Sequence, residues 1–116
     1  MSALFAVSTE RADESTGVIV LSGEVDIYTA PEFKESLHAL LDEGVDKLVV
    51  DLTGVTFIDS TALGVLIGGV RRVHGEGGTM ALVVATRPVE RVLSITGLDR
   101  VFTIHADREA ALESLA

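Results

Sequence analysis

The side chains best suited to chemistry lie together in one hexapeptide, Asp59-Ser60-Thr61-Ala62-Leu63-Gly64. An apolar segment precedes it and an amphipathic one follows, which predicts a strand ending near Ile58 and a helix beginning within two residues of Ser60. Such a junction puts the Ser60 hydroxyl at the carboxyl edge of a sheet, where α/β folds usually hold their working sites. A helix N-terminus tolerates an added phosphate there, because its first N–H groups are unpaired and its potential is positive.

Two interpretations of Ser60 follow from these residues alone. A phosphoserine carries a charge of about −1.5 to −2, so beside the Asp59 carboxylate it would repel a partner surface without unfolding the domain. The alternative is that Ser60 caps the helix, with Asp59 as a second local acceptor, because Ser and Asp are common capping residues. Spacing alone favours the capping interpretation.

Other kinds of site find little support. The 116 residues contain no Cys, which excludes disulfides, thiolate catalysis and cysteine metal sites. His38, His74 and His105 lack metal-ligand spacing, and no Gly-x-Ser-x-Gly elbow surrounds Ser60. The glycine-rich segment 75–78 lacks the Lys and the Ser or Thr of a phosphate-binding loop, and it reads as a turn. We therefore predict a protein that is not an enzyme and that uses no metal or cofactor.

Composition and charge restrict the partners. Eighteen Asp and Glu against nine Lys and Arg give a formal net charge of −9, which repels nucleic acid and anionic lipid. The acidic residues are scattered, so their simplest interpretation is solubility. No stretch approaches the roughly 20 apolar residues of a spanning helix, and no secretion signal is visible at the N-terminus. We expect a cytoplasmic protein that binds neither nucleic acid nor membrane.

The elements that position Ser60 can be read from hydrophobic spacing. We predict strands near 4–8, 18–21, 47–52 with an apolar extension to 58, 80–85 and 101–104, and a turn over 11–17. We predict helices near 29–44, capped by Thr29, and near 60–74, 88–97 and 107–115. Single helices between strands imply parallel crossovers. The expected fold is one α/β domain over 1–116, with a mixed, mostly parallel sheet partly covered by about four helices.

Three glycines leave one side of the second predicted helix nearly bare. Gly64, Gly68 and Gly69 either allow close approach by a partner or pack tightly against the sheet or a neighbouring helix. Packing is the favoured interpretation, because such spacings are frequent in packed helices.

Five segments follow one another along the chain: Gly23-Glu24-Val25-Asp26, Thr29-Ala30, the Val49-Val50-Asp51-Leu52 strand, the hexapeptide 59–64 and Gly97-Leu98. Together they resemble the STAS domain of bacterial anti-sigma factor antagonists. The resemblance covers nearly the whole chain. Agreement of several segments in order is much more specific than the hexapeptide alone.

The resemblance implies a regulatory cycle. In that family a partner that is both anti-sigma factor and serine kinase phosphorylates the serine after the motif aspartate, and a metal-dependent serine phosphatase reverses this. The unphosphorylated antagonist binds the kinase and so frees the sigma factor. Carried over by motif position, Ser60 is the phosphoacceptor, with Thr61 the less favoured hydroxyl. The expected partner-binding surface includes five residues: Asp26, Asp59, Thr61, Ala62 and Gly64.

One departure and two rival functions remain. The family motif commonly has Gly where this chain has Ala62, whose methyl group is expected to limit the approach of a partner backbone. One rival is a STAS scaffold or assembly subunit of a larger signalling or lipid-transport complex. The other is a small enzyme or nucleotide-binding protein that uses the same loop. The oligomeric state stays open between a monomer and a weak dimer.

Overall fold

Five strands form one sheet in the order β1-β2-β3-β4-β5. The computed structural model describes residues 4–116. Its strands are β1 (Ala6–Arg11), β2 (Thr16–Val25), β3 (Lys47–Ile58), β4 (Thr79–Val83) and β5 (Thr103–His105). β1 runs antiparallel to β2, and every other neighbouring pair is parallel. The predicted mixed, mostly parallel sheet is confirmed.

Four α-helices cover the two faces of this sheet unequally. They are α1 (Ala30–Asp42), α2 (Ser60–Gly75), α3 (Arg87–Ile95) and α4 (Arg108–Leu115), and a short 3-10 turn spans Leu98–Arg100. Side chains of α1, α2 and α3 pack into the main core on one face, whereas α4 covers a smaller core on the other. Successive side chains of β3 point to opposite faces of the sheet, so that Leu48 and Val50 pack in the main core and Val49 packs in the smaller one. Within residues 4–116, no helix is long and apolar enough to cross a bilayer.

Four strands have bounds other than those predicted. β4 ends at Val83 instead of 85, where its pairing with β3 and β5 stops. β5 occupies Thr103–His105 instead of 101–104, because the N–H groups of Val101 and Phe102 both donate to the Leu98 carbonyl at the 3-10 turn.

In β1 and β2, sheet pairing changes the bounds. β1 lies at Ala6–Arg11 instead of 4–8, since its pairing with β2 continues as far as Arg11 opposite Gly17. β2 runs on to Val25, because its last residues pair with the far half of β3 up to Ile58. The long β2–β3 pair carries the loops at its end to the carboxyl edge of the sheet.

A buried carboxylate anchors α4 on its face of the sheet. Asp51 Oδ1 accepts hydrogen bonds from the N–H (3.0 Å) and the hydroxyl (2.8 Å) of Thr53. Asp51 Oδ2 accepts from Nε (3.2 Å) and Nη2 (3.0 Å) of Arg108, which also donates to Glu10 at 3.1 Å. Burial raises the pKa of Asp51, but the bonds from Thr53 and Arg108 outweigh burial and hold that pKa below its ordinary value. The network therefore ties β1, β3 and α4 together.

Candidate functional site

The site begins where β3 passes into α2, with a single residue between them. β3 ends at Ile58 and α2 begins at Ser60, so the predicted junction is confirmed. Asp59, in extended backbone conformation, caps the helix, because its Oδ1 accepts a hydrogen bond from the Ala62 N–H at 3.0 Å. The alternative interpretation, that Ser60 caps α2, is therefore wrong, and Ser60 occupies the first helical position.

Ser60 is exposed, and its hydroxyl forms no hydrogen bond with any other part of residues 4–116. The backbone around it is also partly free. The Asp59 N–H donates to the Val25 carbonyl at 3.2 Å and the Ala62 N–H to Asp59, which leaves the N–H groups of Ser60 and Thr61 without a partner in the described chain. An anion attached to the Ser60 oxygen would meet these two donors at the positive end of a 16-residue helix.

Asp59 also holds the loop between β2 and α1 against the start of α2. Its Oδ2 accepts a hydrogen bond from the Ile27 N–H at 3.1 Å. Within the loop, Asp26 Oδ1 accepts from the N–H groups of Tyr28 (2.9 Å) and Thr29 (3.1 Å). Both carboxylates are half-buried and occupied by backbone donors. They therefore fix the shape of the loop.

The hydroxyl of Thr29 closes this loop and does not cap α1 as predicted. Thr29 Oγ1 accepts a hydrogen bond from the Asp26 N–H at 2.9 Å and donates one to the Glu24 carbonyl at 3.2 Å. No side-chain cap bond reaches the first turn of α1. The loop is consequently braced from both ends, by Thr29 and by Asp59.

Two large apolar side chains at the tip of this loop are functional candidates that the sequence predictions missed. Ile27 is 61% exposed and Tyr28 is 87% exposed. The backbone bonds to Asp26 and Asp59 fix the loop so that both side chains face outward. Exposed apolar side chains that lie together beside polar groups are typical of interaction surfaces. The available signal was an apolar pair between a strand end and a helix start, outside either hydrophobic period.

A groove of about 470 Å³ runs between α1 and α2 from this corner. Its lining residues are Ala30, Pro31, Lys34, Thr61, Gly64, Val65 and Gly68. Gly64 and Gly68 are exposed and have open space where a Cβ would stand, so close approach is possible there and the packing interpretation is wrong for both. Packing does explain Gly69, where a Cβ would lie 2.7 Å from Leu37 Cδ1 of α1.

Ala62 does not lie on the exposed surface. Its side chain is 0% exposed and packs in the main core, so the prediction that it contributes to the partner-binding surface is corrected. Its methyl group points toward the sheet and does not limit the approach of a partner. Its spacing of four residues before the buried Leu66 is the sequence signal for this inward position. Of the other predicted surface residues, Thr61 and Gly64 are exposed.

The arrangement lacks the groups that would make Ser60 a nucleophile. A catalytic serine needs a base within hydrogen-bond reach, whereas no side chain of residues 4–116 bonds to the Ser60 hydroxyl. Over the same part of the chain, His, Asp and Glu form no group of three that could hold a metal ion. The Ser60 hydroxyl is thus exposed and has no side-chain partner among residues 4–116.

Comparison with known proteins identifies the family of the domain. The STAS domain matches residues 7–111. The chain belongs to the STAS domain family. The anti-sigma-B factor antagonist of Bacillus subtilis (strain 168) is 33% identical over 103 residues, which span 89% of this chain and 94% of that protein. The predicted family is confirmed.

Solved structures agree with this STAS fold. An anti-sigma factor antagonist from Mycobacterium paratuberculosis has a TM-score of 0.89 at 28% identity, over 99% of this chain and 98% of its own. The Bacillus cell fate determinant SpoIIAA in its phosphorylated form has a TM-score of 0.76 at 21% identity, over 96% and 100%. The second likeness concerns the fold alone.

Proposed function

We propose that this STAS domain is an anti-sigma factor antagonist that acts as a binding switch. In its unphosphorylated form it binds an anti-sigma factor that is also a serine kinase, and the sigma factor is released. The kinase phosphorylates Ser60, which ends the complex, and a serine phosphatase acting on phospho-Ser60 restores it. The domain itself catalyses no reaction.

The observation that carries the proposal is the exposed, unbonded hydroxyl of Ser60 beside a surface suited to a partner. A kinase requires a hydroxyl that it can reach, and Ser60 is exposed at the first position of α2. The names of the relatives support the same role, since the Bacillus subtilis and Mycobacterium paratuberculosis proteins are both called anti-sigma factor antagonists.

The partner surface combines an apolar anchor with a bare helix face. Ile27 and Tyr28 project from the braced loop, and exposed aromatic residues are often the strongest contributors to an interface. Next to them, Gly64 and Gly68 leave open space in the α1–α2 groove, where a partner backbone can approach α2 closely. Thr61 lines the same groove, one residue from Ser60.

A phosphate at Ser60 acts differently on the fold and on the interface. Within the domain, the added charge lies at the positive end of α2, where such an interaction is worth about 0.3–1 kcal/mol, so the fold survives. At the interface, a charge of about −1.5 to −2 replaces a neutral hydroxyl next to Asp59, and unfavourable charge contacts there cost several kcal/mol. A loss of about 3 kcal/mol corresponds to roughly a 100-fold weaker complex.

Phosphate mapping tests the site assignment. The chain is incubated with its cognate kinase and ATP, and the product is mapped by mass spectrometry, with Ser60→Ala and Thr61→Ala as matched variants. We expect one phosphate on Ser60, none on Ser60→Ala and an unchanged product from Thr61→Ala. Phosphate on another residue, or none with a kinase shown to bind the chain, would falsify the assignment.

A further inference from the structure

The outer side of α3 carries a stripe of side chains that the Ser60 site does not use. Val89 and Leu93 of this helix are buried in the main core. Arg87, Arg91 and Ile95 follow one another at four-residue spacing and are exposed, which places them on one outward face. No residue of α3 lines the α1–α2 groove. The stripe is therefore a separate feature of the surface.

The arginines of this region are unpaired in a strongly acidic chain. Arg87, Arg91 and Arg100, just after the helix, form no ion pair with any carboxylate of residues 4–116. Glu90 lies on the same helix and Asp99 precedes Arg100, but neither carboxylate comes within ion-pair distance of these guanidinium groups. The chain has 18 acidic residues against nine basic ones, and three of those nine lie between positions 87 and 100 without an ion pair.

An exposed apolar side chain accompanies these cations. Ile95, at four-residue spacing from Arg91, is 77% exposed. An open depression of about 920 Å³ follows the helix, and its lining, all from α3, holds one carboxylate, Glu90, beside the two guanidinium groups of Arg87 and Arg91. The surface thus combines guanidinium groups, which pair with carboxylates in a two-pronged geometry, with apolar area that gains from being covered.

Charge complementarity selects the occupant. A partner that presents two carboxylates at four-residue spacing beside a large apolar side chain could pair with Arg87 and Arg91 and cover Ile95. An acidic amphipathic helix presents that pattern. A short acidic segment meets mainly the local cations, since charges beyond about 8 Å are screened at physiological salt. Nucleic acid or an anionic membrane extends much further, and the net charge of −9 repels both over the remaining surface.

We propose that the outer face of α3, formed by Arg87, Arg91 and Ile95, is a second docking surface that binds an acidic amphipathic helix of a partner protein. This surface goes beyond the Ser60 switch and does not depend on it. A chain with two such surfaces could hold a second protein whatever the phosphorylation state of Ser60.

The test uses a synthetic helical peptide as the probe. A fluorescein-labelled peptide with Glu at every fourth position beside a stripe of Leu is titrated with the full chain by fluorescence anisotropy, and a peptide with Lys in place of Glu serves as the control. We expect the Glu peptide to bind and the Lys peptide not to bind. Arg91→Glu should weaken binding by about tenfold or more, because it removes one charge pair and adds a like-charge contact. Ile95→Ser should weaken it as well.

Arg71→Glu is the matched control, because Arg71 is an exposed, unpaired helix arginine outside the stripe and its replacement changes the net charge equally. Equal losses for Arg71→Glu and Arg91→Glu would overturn the proposal, since they would indicate general charge attraction. So would failure of the Glu peptide to bind a chain whose circular dichroism shows it folded. Two other results would also overturn it in favour of another occupant. One is binding to phosphatidylglycerol vesicles without peptide binding; the other is self-association in sedimentation that Arg91→Glu abolishes.

Discussion

Replacing Gly64 by Ala should raise the stability of the domain while weakening its binding to the proposed partner, the anti-sigma factor kinase. Gly64 lies inside α2, and nothing stands within 4 Å of the position that a Cβ would take. Gly in a helix interior costs about 0.8–1.0 kcal/mol relative to Ala. We therefore expect Gly64→Ala to raise the free energy of unfolding by about that amount, which corresponds to a rise in Tm of about 3–6 °C at this chain length.

The same methyl group should obstruct the proposed partner. It would project into the α1–α2 groove, where Gly64 now leaves room for a close backbone approach. Overfilling a packed contact by one methyl group costs about 1–3 kcal/mol, which corresponds to a roughly 5- to 100-fold rise in Kd. Stability and affinity should thus change in opposite directions, which a general loss of structure cannot produce.

Urea unfolding measures the first quantity and calorimetric titration with the kinase measures the second. Gly75→Ala is the matched control, because Gly75 also faces open space at the end of α2 but does not line the groove. It should add a smaller increment of stability and leave Kd unchanged. A Gly64→Ala variant that is stabilised and binds the kinase as tightly as the wild type would refute the groove as a docking surface.

Three further predictions concern the loop, the anchor and the buried ion pair. Asp59→Ala removes the acceptor of two backbone N–H groups, so the free energy of unfolding in urea should fall by about 2–3 kcal/mol, and by less for Asp59→Asn; equal stability of wild type and Asp59→Ala would contradict the bracing role. Tyr28→Ala should change stability by less than about 0.5 kcal/mol but weaken kinase binding by about tenfold or more, and unchanged affinity would exclude Tyr28 as an anchor. The lowered pKa of Asp51 contributes stability above the ordinary carboxyl value of 3.8 that is lost as the pH falls through the lower folded value. Arg108→Met should therefore flatten the acid dependence of unfolding below about pH 5, and an unchanged slope would contradict this role.

The junction at Ser60 could be predicted from the sequence because its determinants are local. An apolar run ends at Ile58, a capping residue follows, and apolar residues then recur at helical spacing. The identity of the capping residue could not be predicted, because Asp and Ser both cap helices well. In the structure Asp59 has the extended backbone of a capping residue, so Asp59 is the cap. Its other carboxylate oxygen, Oδ2, accepts a hydrogen bond from a loop residue 32 positions earlier in the chain.

The surface around Ser60 was less predictable because it depends on how helices lie against one another. Gly64, Gly68 and Gly69 look alike in sequence, yet only Gly69 faces Leu37 of α1. The outward position of Ile27 depends on hydrogen bonds that the loop backbone donates to Asp26, within the loop, and to Asp59, at the start of α2. No local sequence pattern encodes the second of these contacts. Hydrophobic spacing defines the buried face of one helix, whereas the open groove results from the distance between two.

The most direct test of the switch is the affinity of the purified anti-sigma factor kinase for two forms of the same chain, unmodified and fully phosphorylated on Ser60. We expect the phosphorylated form to bind roughly 100-fold more weakly, with a free energy of unfolding within about 1 kcal/mol of the unmodified chain. Equal Kd values for two folded forms would contradict the proposal that charge at Ser60 blocks the interface.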